Sequence, residues 1–140
     1  MELSLERFRC AHEHSYETAL REIMNGRKES HWMWYIFPQL LGLGHSTMAM
    51  YYAIQDKGEA IAYWKDPVLS AHLTEICREL IKLEGSIDDI MGCPDNLKLH
   101  SSMTLFYLVT NEKLFKAVLD KFYCGSLDGN TVRILAKDRE

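Results

Sequence analysis

The apolar residues of the chain recur with the spacing of an α-helix. The clearest case is an apolar stripe from Leu69 to Leu83, which follows Asp66 and Pro67, two residues typical of the first positions of a helix. No segment alternates apolar and polar residues as a half-buried strand does. We therefore predict a mainly α protein, a single compact domain over residues 1–140 with seven to nine short helices and little or no sheet.

The residues between the apolar stripes predict where helices begin and end. The predicted helix boundaries at proline are Pro38, Pro67 and Pro94. The predicted N-caps are Ser30, Ser46, Asp66, Ser86 and, for the last clear helix, Thr110 or Asn111. The segment from Thr131 to Leu135 fits either a final turn of helix or a short strand.

Composition narrows the class of protein. The chain is 47% hydrophobic and has a net charge of −4, so it lacks the overall basic charge that non-specific nucleic-acid binding needs. No apolar run approaches the ~18 residues of a membrane span. The N-terminal residues show neither the basic start nor the apolar stretch of a secretory signal, so we expect a cytoplasmic protein that binds neither nucleic acid nor membrane.

The cysteines and histidines do not predict a metal site. Cys10, Cys77, Cys93 and Cys124 stand far apart in the sequence, so four reduced thiols are expected rather than a zinc site or a disulfide framework. His12 and His14 are two positions apart at the start of a predicted helix, where we expect a solvated face rather than a metal site.

The first unusual segment is rich in aromatic residues. Trp32 and Trp34 are two positions apart, so on a helix their rings point about 200° apart. Either one ring packs inward while the other lines a cleft, or the helix is buried on both sides. A loop containing Gly42 and Gly44 follows and enters a helix at Ser46; it fits either a plain turn or an anion site to which Lys28 or Arg27 adds positive charge.

A second polar cluster lies at residues 95–103. If this stretch is helical, Lys98, Ser101 and Ser102 share one face, which suits phosphate or carboxylate binding. A solvated face whose serines bond to the backbone is the alternative. The sequence has no nucleophile elbow, zinc-protease motif or cysteine–histidine pair that would identify a catalytic centre. The candidates for acid–base chemistry near these segments are Glu29, His31 and Asp128.

Both segments resemble the bacterial family known as domain of unknown function 1810. The resemblance is carried by KESHWMWYIFPQLLGLG at residues 28–44 and by DNLKLHSSMTLF at residues 95–106. A third block matches at Phe115 through Leu119, Phe122, Gly125, Asp128 and Thr131. The resemblance implies an α-helical single domain and no established activity.

The layout is also similar, more distantly, to the NADAR (NAD- and ADP-ribose-associated) proteins. That likeness implies removal of ADP-ribose from a base or processing of a related N-glycoside. The NADAR pattern places a glutamate directly before its histidine, whereas here Ser30 precedes His31 and Glu29 is one position earlier.

Two hypotheses follow from these observations. The first is binding of a nucleotide or ADP-ribose-type ligand, with hydrolysis of an N-glycoside as the reaction and Glu29 or Asp128 as the catalytic acid or electrostatic stabiliser. The candidate ligand-binding residues are Lys28, His31, Trp32, Trp34, Gly44, Ser46, Lys98, Ser101 and Ser102. No cofactor or metal is expected. The alternative is a non-catalytic helical adaptor, a protein-interaction domain with no small-molecule site.

Overall fold

The computed structural model describes residues 4–138, and nine α-helices lie within that range. They are α1 (Glu6–Met24), α2 (Met33–Ile36), α3 (Thr47–Tyr51), α4 (Lys57–Lys65), α5 (Pro67–Ile81), α6 (Ile87–Met91), α7 (Asp95–Thr110), α8 (Lys113–Tyr123) and α9 (Gly129–Lys137). The same residues contain no β-strand, although a parallel bridge joins Leu40 to Ile54. The predicted mainly α fold is confirmed.

Two helices lie at the centre of the packing. α5 packs against α1, α4 and α8, and α7 packs against α4, α6, α8 and α9. All side chains from Ser101 to Phe106 of α7 are buried, including the polar ones. A helix that is covered on so many sides has no purely polar face, which explains why its apolar stripe is hard to read from sequence.

Most predicted helix starts are confirmed. The side chains of Ser46, Asp66 and Ser86 cap α3, α5 and α6, and Asp66 Oδ1 accepts from the backbone N–H groups of Val68 and Leu69. The prediction of Ser30 as a cap is wrong, because α2 begins after Trp32 and the Ser30 hydroxyl donates to Glu22. The prediction of Thr110 or Asn111 as the cap of the last clear helix is also wrong. Asn111 instead ends α7 with φ +59°, and Glu112 precedes α8. Residues 131–135 lie within helix α9.

The start of α1 is not the solvated face that we expected at His12. His12 is buried between α1 and α5, and its Nε2 lies 2.8 Å from the carbonyl oxygen of Tyr35. Because a carbonyl only accepts, Nε2 carries the proton and Nδ1 accepts at 2.9 Å from Nδ1–H of His72. Burial lowers the pKa of His12 to about 4, against the opposing effect of the Tyr35 carbonyl. His14 is exposed as predicted.

The structure also describes the thiols, the possible metal ligands and the helix lengths within residues 4–138. Cys10, Cys77, Cys93 and Cys124 are free thiols, of which Cys77 is buried. Within residues 4–138 no three His, Cys, Asp or Glu side chains come together in a way that would hold a metal ion. None of the helices in that range has both the length and the apolar character needed to cross a membrane.

Candidate functional site

The two unusual segments of the sequence meet in space. Lys28, in the loop after α1, forms an ion pair with Asp95 in the first turn of α7, with 2.8 Å between Nζ and Oδ2. A carboxylate in the first turn of a helix also interacts favourably with the helix dipole. The same Asp95 lies 3.9 Å from Nζ of Lys98, through its other oxygen. Asp95 therefore links residues 28–39 to α7.

Lys28 has a structural role. Its side chain is 7% exposed, its ammonium group donates to the carbonyl oxygen of Ser30 at 2.5 Å, and Nζ lies 4.9 Å from the centre of the Trp32 ring. With the ion pair to Asp95, these contacts occupy the group on several sides. Lys28 thus has little capacity left for a ligand phosphate.

Glu22 holds residues 28–39, the aromatic segment, in place. Its Oε1 accepts from the backbone N–H groups of Glu29 and Ser30 and from the indole N–H of Trp32, and its Oε2 accepts from the Ser30 hydroxyl. Burial raises the pKa of Glu22, but these hydrogen bonds outweigh burial and bring this pKa down to about 2. Glu22 is therefore ionised at neutral pH, and its four hydrogen bonds anchor this segment.

The two tryptophans have different environments, as the first of the two interpretations predicts. Trp32 is 1% exposed and packs in the core, whereas Trp34 is only partly buried. Nζ of Lys98 lies 5.7 Å from the centre of the Trp34 ring, within the range of a cation–π contact. Trp34 is thus the indole that a ligand could reach.

Trp34 and Lys98 share a cavity. Its lining residues are Met33, Trp34, Phe37, Gln39, Ala49, Tyr52, Ala53 and Lys98. The cavity holds about 10 Å³, which is near the minimum that one water molecule needs. In this conformation it is too small for a nucleotide, so a ligand of that size enters only after part of the lining moves.

Residues 41–53, which we call the covering loop, form one wall of the cavity. The ends of the loop are tied together, because Leu41 N–H donates to Ile54 O and Ile54 N–H donates to Gln39 O. Surface loops with closed ends are often functional. The C-terminal end is clamped by the buried Arg7, which donates to the carbonyl oxygens of Tyr51 and Ala53 and pairs with Glu59 at 2.8 Å.

The charged side chain among the lining residues of the cavity is Lys98. Two ammonium groups, those of Lys28 and Lys98, share the single carboxylate of Asp95. Lys98 is 3.9 Å from that carboxylate, which is longer than a hydrogen bond, and its side chain is 27% exposed. Among these three groups, a charge of +1 remains uncompensated beside Trp34.

The hydroxyl groups of α7 do not gather around Lys98. Ser101 turns towards α9 and donates to Oδ2 of Asp128 at 3.1 Å. Ser102 is completely buried, and its Oγ has no hydrogen-bond partner among residues 4–138. Ser101 and Ser102 therefore do not form the predicted binding face with Lys98. The Ser101 hydroxyl is hydrogen-bonded to Asp128, and the Ser102 hydroxyl has no partner among the described residues.

The two carboxylates predicted as catalytic do not line this cavity. Glu29 is exposed on the surface, as is His31. Asp128 caps α9, where its Oδ2 accepts from the backbone N–H of Thr131 at 3.1 Å and from the Thr131 hydroxyl at 2.6 Å. Their proposed catalytic role stays a prediction.

The glycine loop has a packing role. A Cβ on Gly44 would lie 2.7 Å from Cβ of Ala49 and 3.2 Å from Nε2 of Gln39, so only glycine fits there without displacement. Ser46 caps α3 by accepting from the N–H of Ala49. α3 is a helix of five residues. Both predicted ligand-binding residues therefore shape the covering loop, and neither lines the cavity.

Sequence reasoning missed several residues of the site. Glu22, Gln39, Tyr52 and Asp95 all contribute to it, but none stands out by local pattern. The only available signal was position, because Gln39 and Asp95 belong to the two distinctive segments. Glu22 lies within an ordinary helical repeat and gives no signal of its role.

Comparison with known proteins identifies the family of this chain. A family model described as "Protein of unknown function (DUF1810)" matches residues 2–135. The chain belongs to this family. This DUF1810 protein is also similar to the crystal structure of the conserved hypothetical protein Rv1873 from Mycobacterium tuberculosis, with 44% sequence identity and a TM-score of 0.92. The match covers 94% of this chain and 96% of that one.

These comparisons support the DUF1810 resemblance and add no activity to it. No curated protein matches the sequence. The more distant likeness to NADAR proteins receives no support from them and stays a hypothesis.

Proposed function

We propose that this protein binds a small anionic ligand with an aromatic or ribose ring, of nucleotide or ADP-ribose type, at the cavity between Trp34 and Lys98. The observation that carries the proposal is the uncompensated positive charge of Lys98 beside a partly buried indole ring. An ammonium group offers phosphate a strong point charge, and an indole offers a surface on which a ring stacks. Gln39 and Tyr52 add polar groups to the same wall.

Opening of the covering loop accompanies binding in this proposal. The loop contributes Ala49, Tyr52 and Ala53 to the cavity wall, and its outer side exposes Met48, Met50 and Tyr51. Loops that close over ligands commonly move on the microsecond to millisecond timescale. Because Arg7 holds the carbonyl groups of Tyr51 and Ala53, the wall moves at Ala49 and at the Tyr52 side chain, and Trp34 in α2 and Lys98 in α7 stay in place.

Binding is tested with ADP-ribose, NAD and nucleotides at about 1 mM, read as thermal stabilisation, since a ligand that binds the folded protein stabilises it by RT ln(1 + [L]/Kd). We expect stabilisation of the wild type and its loss in Lys98→Met. The matched control is Lys116→Met, which removes the same charge from an exposed i,i+4 pair with Asp120. If none of these ligands stabilises the wild type, the proposal is wrong.

Hydrolysis of an N-glycoside is the finer hypothesis. Such a reaction needs an acid or base within hydrogen-bond reach of the reacting group. Asp95 is the carboxylate beside Lys98, and it adds a candidate to Glu29 and Asp128. The reaction is tested by measuring release of the free base from NAD or a nucleoside. The wild type is compared with Asp95→Asn and Glu29→Gln. Absence of turnover in a protein that binds the ligand removes hydrolysis and keeps binding.

A protein-interaction role is the second candidate. It is favoured by the outer side of the covering loop, where Leu41, Met48, Met50 and Tyr51 are between 39% and 52% exposed. Flexible methionine side chains are common on surfaces that adapt to partners. This candidate requires Met48 and Met50 but not Lys98. Wild-type stability and cellular function in Lys98→Met, together with loss of function in a Met48→Ser, Met50→Ser double variant, would favour it.

A further inference from the structure

Two histidines face each other between α1 and α5. Nδ1 of the buried His12 lies 2.9 Å from Nδ1 of His72, and the planes of the two rings differ by only 7°. Because Nε2 of His12 donates to the carbonyl oxygen of Tyr35 at 2.8 Å, its Nδ1 carries no proton and accepts from Nδ1–H of His72. This arrangement therefore requires a neutral His12.

Tyr35 connects the histidine pair to the cavity. Its carbonyl oxygen accepts from His12 and also from the hydroxyl of the buried Tyr63, at 3.2 Å. Tyr35 follows Trp34 in α2, a helix of four residues whose start has no side-chain cap. Its ring contacts the ring of Tyr52 in the cavity wall, with 5.1 Å between the ring centres. The hydrogen bonds at Tyr35 thus act on both Trp34 and Tyr52.

The surroundings of the pair oppose charge on His12. Burial is the main cause that lowers the pKa of His12, and the nearby His72 lowers this pKa further. Asp66 acts in the other direction, but Arg9 already pairs with it at 2.7 Å. The titratable groups that face the two rings are Tyr16 of α1, Tyr35 of α2, Tyr63 of α4, and Asp66 and Glu75 at the start and in the middle of α5.

Protonation affects the pair in two steps. A first proton on Nε2 of the partly buried His72 leaves the shared hydrogen bond intact, because Nδ1 of His72 still donates. A second proton must occupy Nδ1 of His12. Two N–H groups and two positive charges then meet at a separation of 2.9 Å in a largely buried place, which is strongly repulsive.

We propose that His12 is a positioning residue for the Trp34–Lys98 cavity, that it acts through Tyr35, and that double protonation of the His12–His72 pair releases this wall of the cavity. The inference rests on the proposed function, because it describes regulation of the same site. Repulsion moves the His12 ring away from His72 and from the Tyr35 carbonyl. α2 then loses one of two donors at Tyr35, Trp34 becomes more accessible and ligand binding weakens.

Quenching of Trp34 fluorescence by acrylamide tests the positioning without a ligand. In a Trp64→Phe background the remaining indoles are Trp34 and the 1% exposed Trp32, so quenching reports mainly on Trp34. We expect the quenching constant to rise about 1.5-fold from pH 7 to pH 4, where about half of the His12 rings carry the second proton. Circular dichroism identifies the lowest pH in this range at which the helices persist, and the variants are compared there.

Non-titrating variants assign the rise to the pair. His12→Gln keeps an N–H donor for the Tyr35 carbonyl, so its quenching should stay at the pH 7 value of the wild type. His72→Asn should also remove the rise, because its amide oxygen accepts from a protonated His12. The matched control is His14→Gln, at an exposed position of the same helix, which should show the full rise. An undiminished rise in His12→Gln overturns the inference.

Ligand affinity at pH 7 provides a second readout. ADP-ribose, NAD and AMP are titrated by isothermal calorimetry into the wild type, His12→Leu and His12→Gln. His12→Leu removes the donor to Tyr35, and we expect about tenfold weaker binding, whereas His12→Gln should restore the affinity to within about twofold of the wild type. A purely steric role of the ring would not be rescued by the amide.

The possible failures are distinguishable. Unchanged quenching between pH 7 and the lowest pH at which the wild type stays folded overturns this inference and leaves the proposed function standing. Equal ligand affinities of His12→Leu and the wild type do the same. If none of the three compounds binds the wild type while the rise in quenching still requires His12, the proposed function is wrong and the control of Trp34 by His12 remains.

Discussion

Asp95 forms an ion pair with Lys28 at 2.8 Å, and this contact connects the loop after α1 to the first turn of α7. Lys98 lies farther from the same carboxylate, at 3.9 Å, and is more exposed. The two lysines thus look alike in the sequence but differ in the structure. Lys28 is buried and closely paired, whereas Lys98 is partly exposed and has no close ion-pair partner among the described residues.

This difference predicts opposite effects of two similar substitutions. Lys28→Met should lower the free energy of unfolding by about 2–3 kcal/mol, because it leaves the partly buried Asp95 without its close partner. Lys98→Met should change it by less than about 1 kcal/mol. Urea denaturation of both variants measures the difference. Equal stability losses would contradict the assignment of structural and ligand-binding roles.

Glu22 is expected to be the more important of the two glutamates near the aromatic segment. Glu22→Gln replaces an acceptor of four hydrogen bonds with a group that has one acceptor oxygen, so we expect a loss of about 2–4 kcal/mol. The control is Glu29→Gln at an exposed position, which should be nearly neutral. Tryptophan fluorescence follows unfolding and also reports any change around Trp32. A neutral Glu22→Gln would show that the carboxylate is not the anchor of this segment.

The buried His12 predicts that stability depends on pH. Its pKa is lowered from 6.5 to about 4 in the folded protein, so between these values the unfolded chain binds more protons. Stability should therefore fall as the pH decreases from about 6.5 to about 4, by an amount on the order of 3 kcal/mol from this group. The lowered pKa of His72 acts in the same direction.

Unfolding free energies measured across this pH range test the prediction. His12→Gln should flatten the dependence, since the titrating group is gone. The exposed His14 provides the comparison, and His14→Gln should keep the wild-type slope. A His12→Gln protein with an unchanged slope would assign the pH dependence to other groups.

Gly44 should be intolerant of even a methyl group. Gly44→Ala places a Cβ 2.7 Å from Cβ of Ala49, so the covering loop must shift, at a cost of about 1–3 kcal/mol. Gly129→Ala is the matched control, because nothing lies within 4 Å of its Cβ position and the residue is helical. We expect that variant to be neutral or slightly stabilising. Thermal denaturation compares the two, and similar melting temperatures would contradict close packing at Gly44.

Substitution of Asp128 tests whether this predicted catalytic residue has a structural role instead. Asp128→Ala removes the cap of α9 and the acceptor for Ser101 and Thr131, so we expect a stability loss of about 1–2 kcal/mol. Asp89→Ala, at an exposed position of α6, should change stability by less than about 0.5 kcal/mol. Ligand affinity measured in the folded Asp128→Ala protein separates the roles. Loss of binding without loss of stability would favour direct participation of Asp128 in the site.

Much of the helical architecture was predictable because its causes are local. Caps such as Asp66 and Ser86 satisfy N–H groups only two or three residues away, and the apolar stripe of α5 needs just one buried face. The error at Asn111 has a local cause as well. Asn both caps helix starts and tolerates the left-handed conformation that ends α7, and the sequence does not separate these uses.

The sequence by itself determined most of the helices and the two segments that set this chain apart. Only the tertiary structure decided which lysine is buried, which indole is accessible and where His12, Glu22 and Asp128 make their bonds. These outcomes depend on partners that are distant along the chain, such as Asp95 for Lys28 and His72 for His12. Burial and charge pairing are properties of the packed chain, so a side chain's chemical role follows from its neighbours in space rather than from its neighbours in sequence.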